Sequence, residues 1–205
     1  IEDEDTTLAF AALDEDAKPE FSFNRGADRF IYREQLDLSC DEETIVHVGS
    51  LPFTDSETAL NLLSFLESTD VTVSFDPNIR QELMSQNYGE MLERVLKHVD
   101  ILTAADEEIE FFGGLENLRD RIDEIIITRG AKGAEIFTED ERYFADSRNV
   151  DVVDTTGAGD ALTGAYLAFR DKGRKQALEK AVEAASISTT SKGAMSALPK
   201  LTELE

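Results

Sequence analysis

The sequence predicts an α/β fold: a mainly parallel sheet with helices on both faces and a small strand flap at its start. Two observations carry this. Short apolar runs such as "TIVHVGSL", "VTVSFDPN" and "EIIITRGAKG" each run into glycine or turn-forming residues. Segments with apolar residues at helical spacing lie between those runs. Continuous apolar runs mark strands buried on both faces, and their alternation with helices marks a parallel sheet.

The elements follow in order. "TTLAFAAL" and "EFSFNRGADRFI" read as a twisted hairpin, with Leu8, Phe10 and Ala12 alternating, then Phe21 and Phe23, across the charged loop "DEDAKP". Ile45, Val46 and Val48 form a buried strand ended by Gly49. "TDSETALNLLSFLES" reads as helix: Thr54 and Glu57 have capping-box spacing, and Leu60, Leu63 and Leu66 recur once per turn. "VTVSFDPN" is a strand ended by Asp76, Pro77 and Asn78; "YGEMLERVLKHV" is helix, "DILTA" strand, and "DEEIEFFGG" a short helix closed by glycine. Phe111 and Phe112 are assigned to the core. "EIIIT" runs into a glycine-rich turn, and "AEIF" with "RYFA" forms a hairpin. "GAGDALTGAYLAFRDKG" begins a helix just after "DVVDTT", and a last helix runs through "RKQALEKAVEAASISTTSKG" to near Lys192 and Gly193. With no repeat and no long linker, residues 1–36 form the flap and residues 37–205 one α/β domain.

Composition removes several classes of function. The chain carries 44 acidic against 20 basic residues, a net charge of −24, so a basic face for nucleic acid is not expected. Self-repulsion of that size opposes a compact state in dilute buffer and is screened in molar salt, which predicts a salt-rich cytoplasm. No apolar stretch approaches the ~18–20 residues of a membrane helix, and nothing resembles a signal peptide. The single Cys40 forms no internal disulfide and suggests no zinc site, consistent with a reducing compartment. His47 and His98 lie far apart in sequence and receive no role.

Active sites of parallel α/β sheets lie beyond the carboxyl ends of the strands. There the chain places Asp76 and Asn78, then Thr128 and Gly130, then "DTTGAGDALTGAY", residues 154–166. A helix start exposes amides without internal partners and carries partial positive charge, so it attracts anions. Gly157, Ala158 and Gly159 leave room for close approach, and Asp160 is a carboxylate in the first turn beside them. A base next to a charge-stabilising cradle fits phosphoryl transfer. Read alone, the string also fits a tight turn followed by an ordinary first-turn acid. It is not a P-loop, since no "GK[ST]" follows.

The wider pattern closely resembles the ribokinase-like (PfkB) family of carbohydrate kinases, in its fructokinase and 2-keto-3-deoxygluconate kinase branch. "DTTGAGDALTGAY" resembles the family signature; "EFSFNRGAD", "HVGSL", "FDPNIRQEL", "ITRGAKGAEIF" and "ISTTSKGAMSALP" match further pieces in order. The resemblance implies a Rossmann-type layered sheet with part of a small β-sheet lid. It implies ATP-dependent phosphoryl transfer to a hydroxyl of a small sugar such as fructose or 2-keto-3-deoxygluconate. Asp160 is then the general base, and Gly157, Ala158 and Gly159 the anion hole. Thr128, Gly130, Gly133, Lys192 and Gly193 fall on the nucleotide side. Asp76, Asn78, Arg80 and Arg25 fall on the substrate side, with Asp160. Glu108 matches the acid of an Asn-x-x-Glu motif that organises magnesium water, and Asp154 with the Thr156 carbonyl matches a site for a monovalent cation such as K+. The family's lid contacts make a homodimer conceivable.

Each of these residues also has a plainer reading: strand end and turn for Thr128 and Gly130, an Asp-Pro-Asn turn with a surface arginine for Asp76 to Arg80, a strand-end arginine for Arg25, a solvated helix acid for Glu108, a loop cap for Asp154. Two positions depart from the family pattern: Ala105 stands where the motif has Asn, and Val182 where Asn often lies near adenine. Members of the family are usually longer at the N-terminus, so a chain opening on Ile1 is expected to be part of a longer parent that carries more of the sugar pocket. The alternative function is a catalytically silent relative that binds nucleotide or sugar as a regulatory module.

Overall fold

The computed structural model describes residues 4–13, 19–36, 39–41, 43–80, 83 and 87–204. The charged flap loop, 14–18, lies outside them. The chain forms two compact units, one drawn mainly from residues up to Glu124 and the other from Ile125 onward.

In the first unit, β1 (Leu8–Leu13) and β2 (Pro19–Asn24) pair as a two-stranded sheet. Leu8 and Phe10 are 50% and 59% exposed, so the apolar side of that alternation is not sunk in a core. The segment after β2 is tied to the first long helix: the Ile31 amide donates to Thr58 Oγ1 (3.1 Å) and Asn61 Nδ2 donates to the Ile31 carbonyl (2.9 Å). Three parallel strands follow, β3 (Ile45–Gly49), β4 (Thr72–Asp76) and β5 (Ile101–Ala105). Their register runs from Ile45 opposite Thr72 to Gly49 opposite Asp76, with Ser74 opposite Ile101. Because they run parallel, all three strands deliver their carboxyl ends to the same edge.

The helices of this unit are α1 (Ser56–Glu67), α2 (Tyr88–Val95), α3 (Asp106–Phe111) and α4 (Leu115–Arg119). The cap of α1 is Asp55, not Thr54: its Oδ1 accepts from the amides of Glu57 and Thr58, both at 3.1 Å. A carboxylate there satisfies two orphan donors and meets the helix dipole. The buried stripe is Ala59, Leu62, Leu63, Phe65 and Leu66, while Leu60 is half exposed. Phe53 and Phe75 meet edge to face at 6.4 Å in the core, and each buried side chain of this kind contributes roughly 1.5–3 kcal/mol. Phe112 is buried as expected; Phe111 instead lies 44% exposed at the end of α3, its ring meeting that of Phe112 edge-on.

The second unit holds β6 (Glu124–Thr128), β7 (Ala134–Phe137) and β8 (Arg142–Ala145), an antiparallel run. Its helices are α5 (Ala158–Phe169), α6 (Arg174–Ser188) and α7 (Leu201–Leu204). α5 packs on α6 through small and medium apolar residues, among them Ala161, Leu162, Ala177, Leu178, Ala181 and Val182, all buried. α6 stops at Ser188 rather than near Lys192. The hydroxyls of Ser188, Thr189 and Thr190 each donate to a carbonyl three residues back at 2.8 Å, and such back-bonding competes with helix continuation. Among the described residues, no helix is long and apolar enough to cross a membrane.

Candidate active site

The first turn of α5 is built around Gly157. Its φ of +80° is a left-handed conformation, and a Cβ on it would lie 2.8 Å from the Ala194 Cβ. Only glycine meets both conditions. The first helical bond runs from the Ala161 amide to the Gly157 carbonyl (2.8 Å). The amides of Gly159 and Asp160 precede it and so have no carbonyl one turn back. The Ala158 amide is taken by the Thr155 carbonyl at 3.2 Å, so in this conformation it is not a free donor to an anion. Gly159 meets nothing within 4 Å on its side-chain side, and Asp160 is exposed. The carboxylate predicted to act as base therefore stands in the open beside bare amides.

The loop facing this turn is pinned by Asp154. Its Oδ1 accepts from the Thr156 amide and its Oδ2 from the Gly193 amide, each at 2.9 Å. These bonds, with Gly193 foremost, then Thr156 and the Lys192 charge, hold the Asp154 carboxyl down to about 2. The Val153 and Asp154 amides both reach the Thr189 carbonyl, at 2.8 and 3.2 Å, so the end of α6 fixes the same loop. The fold thus brings Asp154, Thr156, Gly157 and Gly193 together.

Thr128, Gly130 and Gly133 share one turn between β6 and β7. The Arg129 amide donates to the Gly133 carbonyl at 2.9 Å and the Gly133 amide to the Gly130 carbonyl at 3.0 Å. Beneath it lies a residue that sequence reasoning missed: Glu135, on β7, is 3% exposed and ion-paired with both Arg129 (2.5 Å) and Arg142. The apolar surroundings of "AEIF" gave no sign of the pairing; only the β6–β7 register brings Arg129 and Glu135 together.

In the first unit, the carboxyl ends of β4 and β5 are joined by Glu108. Its Oε1 accepts from the Ile79 amide (2.7 Å) and its Oε2 from the Ala105 amide (2.9 Å). The intervening turn is an Asx turn, with the Asn78 amide donating to Asp76 Oδ1 (3.1 Å) and Asn78 held at φ +35°. That positive φ in a non-glycine residue is a mark of local strain. Asp76, Asn78 and Glu108 thus meet around one turn, with Arg80 following directly in sequence. Tyr88 lies under it, 1% exposed. Burial pushes its phenol above the usual range; Ser50 and the Arg80 charge oppose this, and the Glu108 charge adds to it. Arg25 is held elsewhere in the unit, by Asp28 (2.5 Å) and by Thr54 Oγ1 (2.8 Å), with its Nη2 buried and without a hydrogen bond.

As metal ligands, Glu108 and Asp154 already spend both carboxylate oxygens on backbone amides. Among the described residues no group of three His, Cys, Asp or Glu gathers. A magnesium ion, which keeps several waters and binds substrate phosphates, needs no such cluster.

A family model described as pfkB family carbohydrate kinase matches residues 1–201. The chain is 30% identical over 220 residues to probable fructokinase-5 of Arabidopsis thaliana, covering 95% of this chain and 68% of that protein. It is 28% identical over 226 residues to probable fructokinase-4 of the same plant, covering 98% and 69%. Among solved structures it resembles a fructokinase from Vibrio cholerae O395 in fructose-, ADP- and calcium-bound form (TM-score 0.82, 26% identity, 96% of this chain and 71% of that one). It also resembles a putative ribokinase II from E. coli in complex with ATP and Mg+2 (TM-score 0.83, 25% identity, 98% and 70%).

Proposed function

Because this chain belongs to the pfkB family of carbohydrate kinases, enzymes that phosphorylate sugars, we propose that it transfers the γ-phosphoryl group of ATP to a hydroxyl of fructose. The observation that carries the reading is the exposed Asp160 in the first turn of α5, beside amides that no backbone acceptor claims. In the reaction, the sugar hydroxyl oxygen bonds to the γ-phosphorus and the bond from that phosphorus to the bridging oxygen of ADP breaks. The hydroxyl proton passes to the Asp160 carboxylate. The Gly159 and Asp160 amides, with the dipole of α5 behind them, bind the charge on the migrating group; a donor of this kind is worth about 2.7–4 kcal/mol. Thr128, Gly130, Gly133, Lys192 and Gly193 serve the nucleotide, and Asn78 and Arg80 the sugar and phosphate. Magnesium would enter on the phosphates of ATP and neutralise part of their charge. K+ is the candidate for the loop that Asp154 ties, with the Thr156 carbonyl as its ligand.

Fructose is preferred over 2-keto-3-deoxygluconate for two reasons. The two Arabidopsis relatives are named probable fructokinases, and Arg25 is already neutralised by Asp28, whereas a sugar acid calls for an uncommitted cation. The test is ADP release with each sugar in molar KCl, on wild type and Asp160→Asn. The proposal requires turnover with fructose that falls on the order of 10²–10⁴-fold in the variant while ATP still binds. ATP binding with no turnover on any sugar would replace it with a silent nucleotide-binding relative.

A further inference from the structure

Glu135 is a buried acid in a chain that has more than twice as many acidic as basic residues. Acids in such a chain are cheap on the surface and costly inside. Glu135 nevertheless occupies β7 at 3% exposure and engages two guanidinium groups. Burial pushes its carboxyl up, and the bonds and charges of Arg142 and Arg129 overcome that and hold it below the usual range. A buried ion pair adds little net stability over an apolar pair of the same volume, so packing alone does not account for it.

Its place does. Arg129 is the residue between Thr128 and Gly130, and its amide closes the turn onto the Gly133 carbonyl. Glu135 sits directly after that turn, opposite Ile127 in the β6–β7 register. Arg129 is therefore tied twice: by its backbone across the turn and by its side chain to the strand beneath. Arg142, on β8, grips the other Glu135 oxygen and fixes the carboxylate from the far side. The tie leaves the Arg129 side chain 28% exposed and holds its guanidinium against the strand rather than over the turn.

We propose that Glu135 is a positioning residue for nucleotide binding, acting through Arg129 to hold the Thr128–Gly133 turn in its binding geometry. This rests on the assignment of that turn to the nucleotide. The test compares wild type, Glu135→Gln and Arg129→Met for ATP and ADP affinity by calorimetry, for KM and kcat with each substrate, and for amide hydrogen exchange at Gly130 to Gly133. Both variants are expected to weaken nucleotide binding and raise KM for ATP about tenfold, the loss expected of one orienting contact. KM for the sugar and kcat at saturating ATP stay unchanged, and exchange in the turn accelerates. A lowered melting temperature with unchanged nucleotide affinity makes Glu135 merely structural and overturns the proposal alone. A wild type that binds no ATP overturns it together with the kinase reading.

Discussion

The Asp154 carboxylate accepts the Gly193 amide at 2.9 Å across 39 residues of sequence. This bond joins the loop before α5 to the loop after α6 and sets Ala194 against Gly157. Its strength is pH-dependent with a definite sign. The Asp154 value in the fold, about 2, lies below the ordinary 3.8, so its contribution is full above pH 3.8 and is lost as pH falls through about 2. Carboxyl-carbon NMR should place its titration midpoint well below those of the exposed aspartates. Asp154→Asn should accelerate amide exchange at Gly193, and an unchanged rate would show that the loop is held by other means.

Gly157 and Gly159 should separate stability from catalysis. Gly157→Ala forces a left-handed residue and a 2.8 Å contact with Ala194, so it should cost at least about 1–2 kcal/mol of stability in denaturant melts. Gly159→Ala enters open space in the first helical turn and should be neutral, or stabilising by up to ~1 kcal/mol. Under the proposed mechanism it should nevertheless depress kcat, because its methyl group would crowd the space beside the Gly159 and Asp160 amides. Gly159→Ala with full kcat would remove this amide from the mechanism.

Ala105 is an incomplete cap. Its extended backbone at the N-cap of α3 is already correct, and Glu108 at N3 already reaches back to the Ala105 amide. Alanine cannot return the second bond. Ala105→Asn should therefore raise stability by about 1 kcal/mol, read as a melting-temperature increase of roughly 2–4 °C. No increase would mean that Glu108 alone satisfies this helix start.

The charge of −24 should make stability rise with salt. Among the described residues, ion pairs such as Arg94–Glu67 and Arg119–Glu116 are at least partly exposed and contribute little. Repulsion among the excess carboxylates dominates instead, and it fades as the screening length falls to about 3 Å at 1 M. Melting temperature in KCl should climb between 0.1 and 2 M. A flat curve would remove the case for a salt-adapted chain.

Local chemistry made much of this molecule legible in advance. The parallel strands β3 to β5, the β7–β8 hairpin and the start of α5 all announce themselves through apolar runs and glycine. Neighbouring equivalents did not resolve. Thr54 and Asp55 are both competent caps, and the chain uses Asp55 while Thr54 bonds the Leu51 carbonyl and Arg25. Phe111 and Phe112 differ only in the direction a short helix happens to present. The relations that depend on long-range register were invisible: Glu108 to Ile79, Asp154 to Gly193, and Arg129 to Glu135. No periodicity encodes them, since each requires two segments to be placed by the sheet before their polar groups can meet.

The turn between β6 and β7 approaches the end of β8 so closely that a Cβ on Gly133 would lie 2.0 Å from the Ala145 carbonyl oxygen, whereas Gly130 faces empty space. A saturation library across this turn should therefore return glycine alone at position 133 and a broader set, led by Asn and Asp, at position 130. If the turn serves the nucleotide as proposed, redesign of nucleotide choice has its room on the outward side of the loop, at Gly130, and none at Gly133.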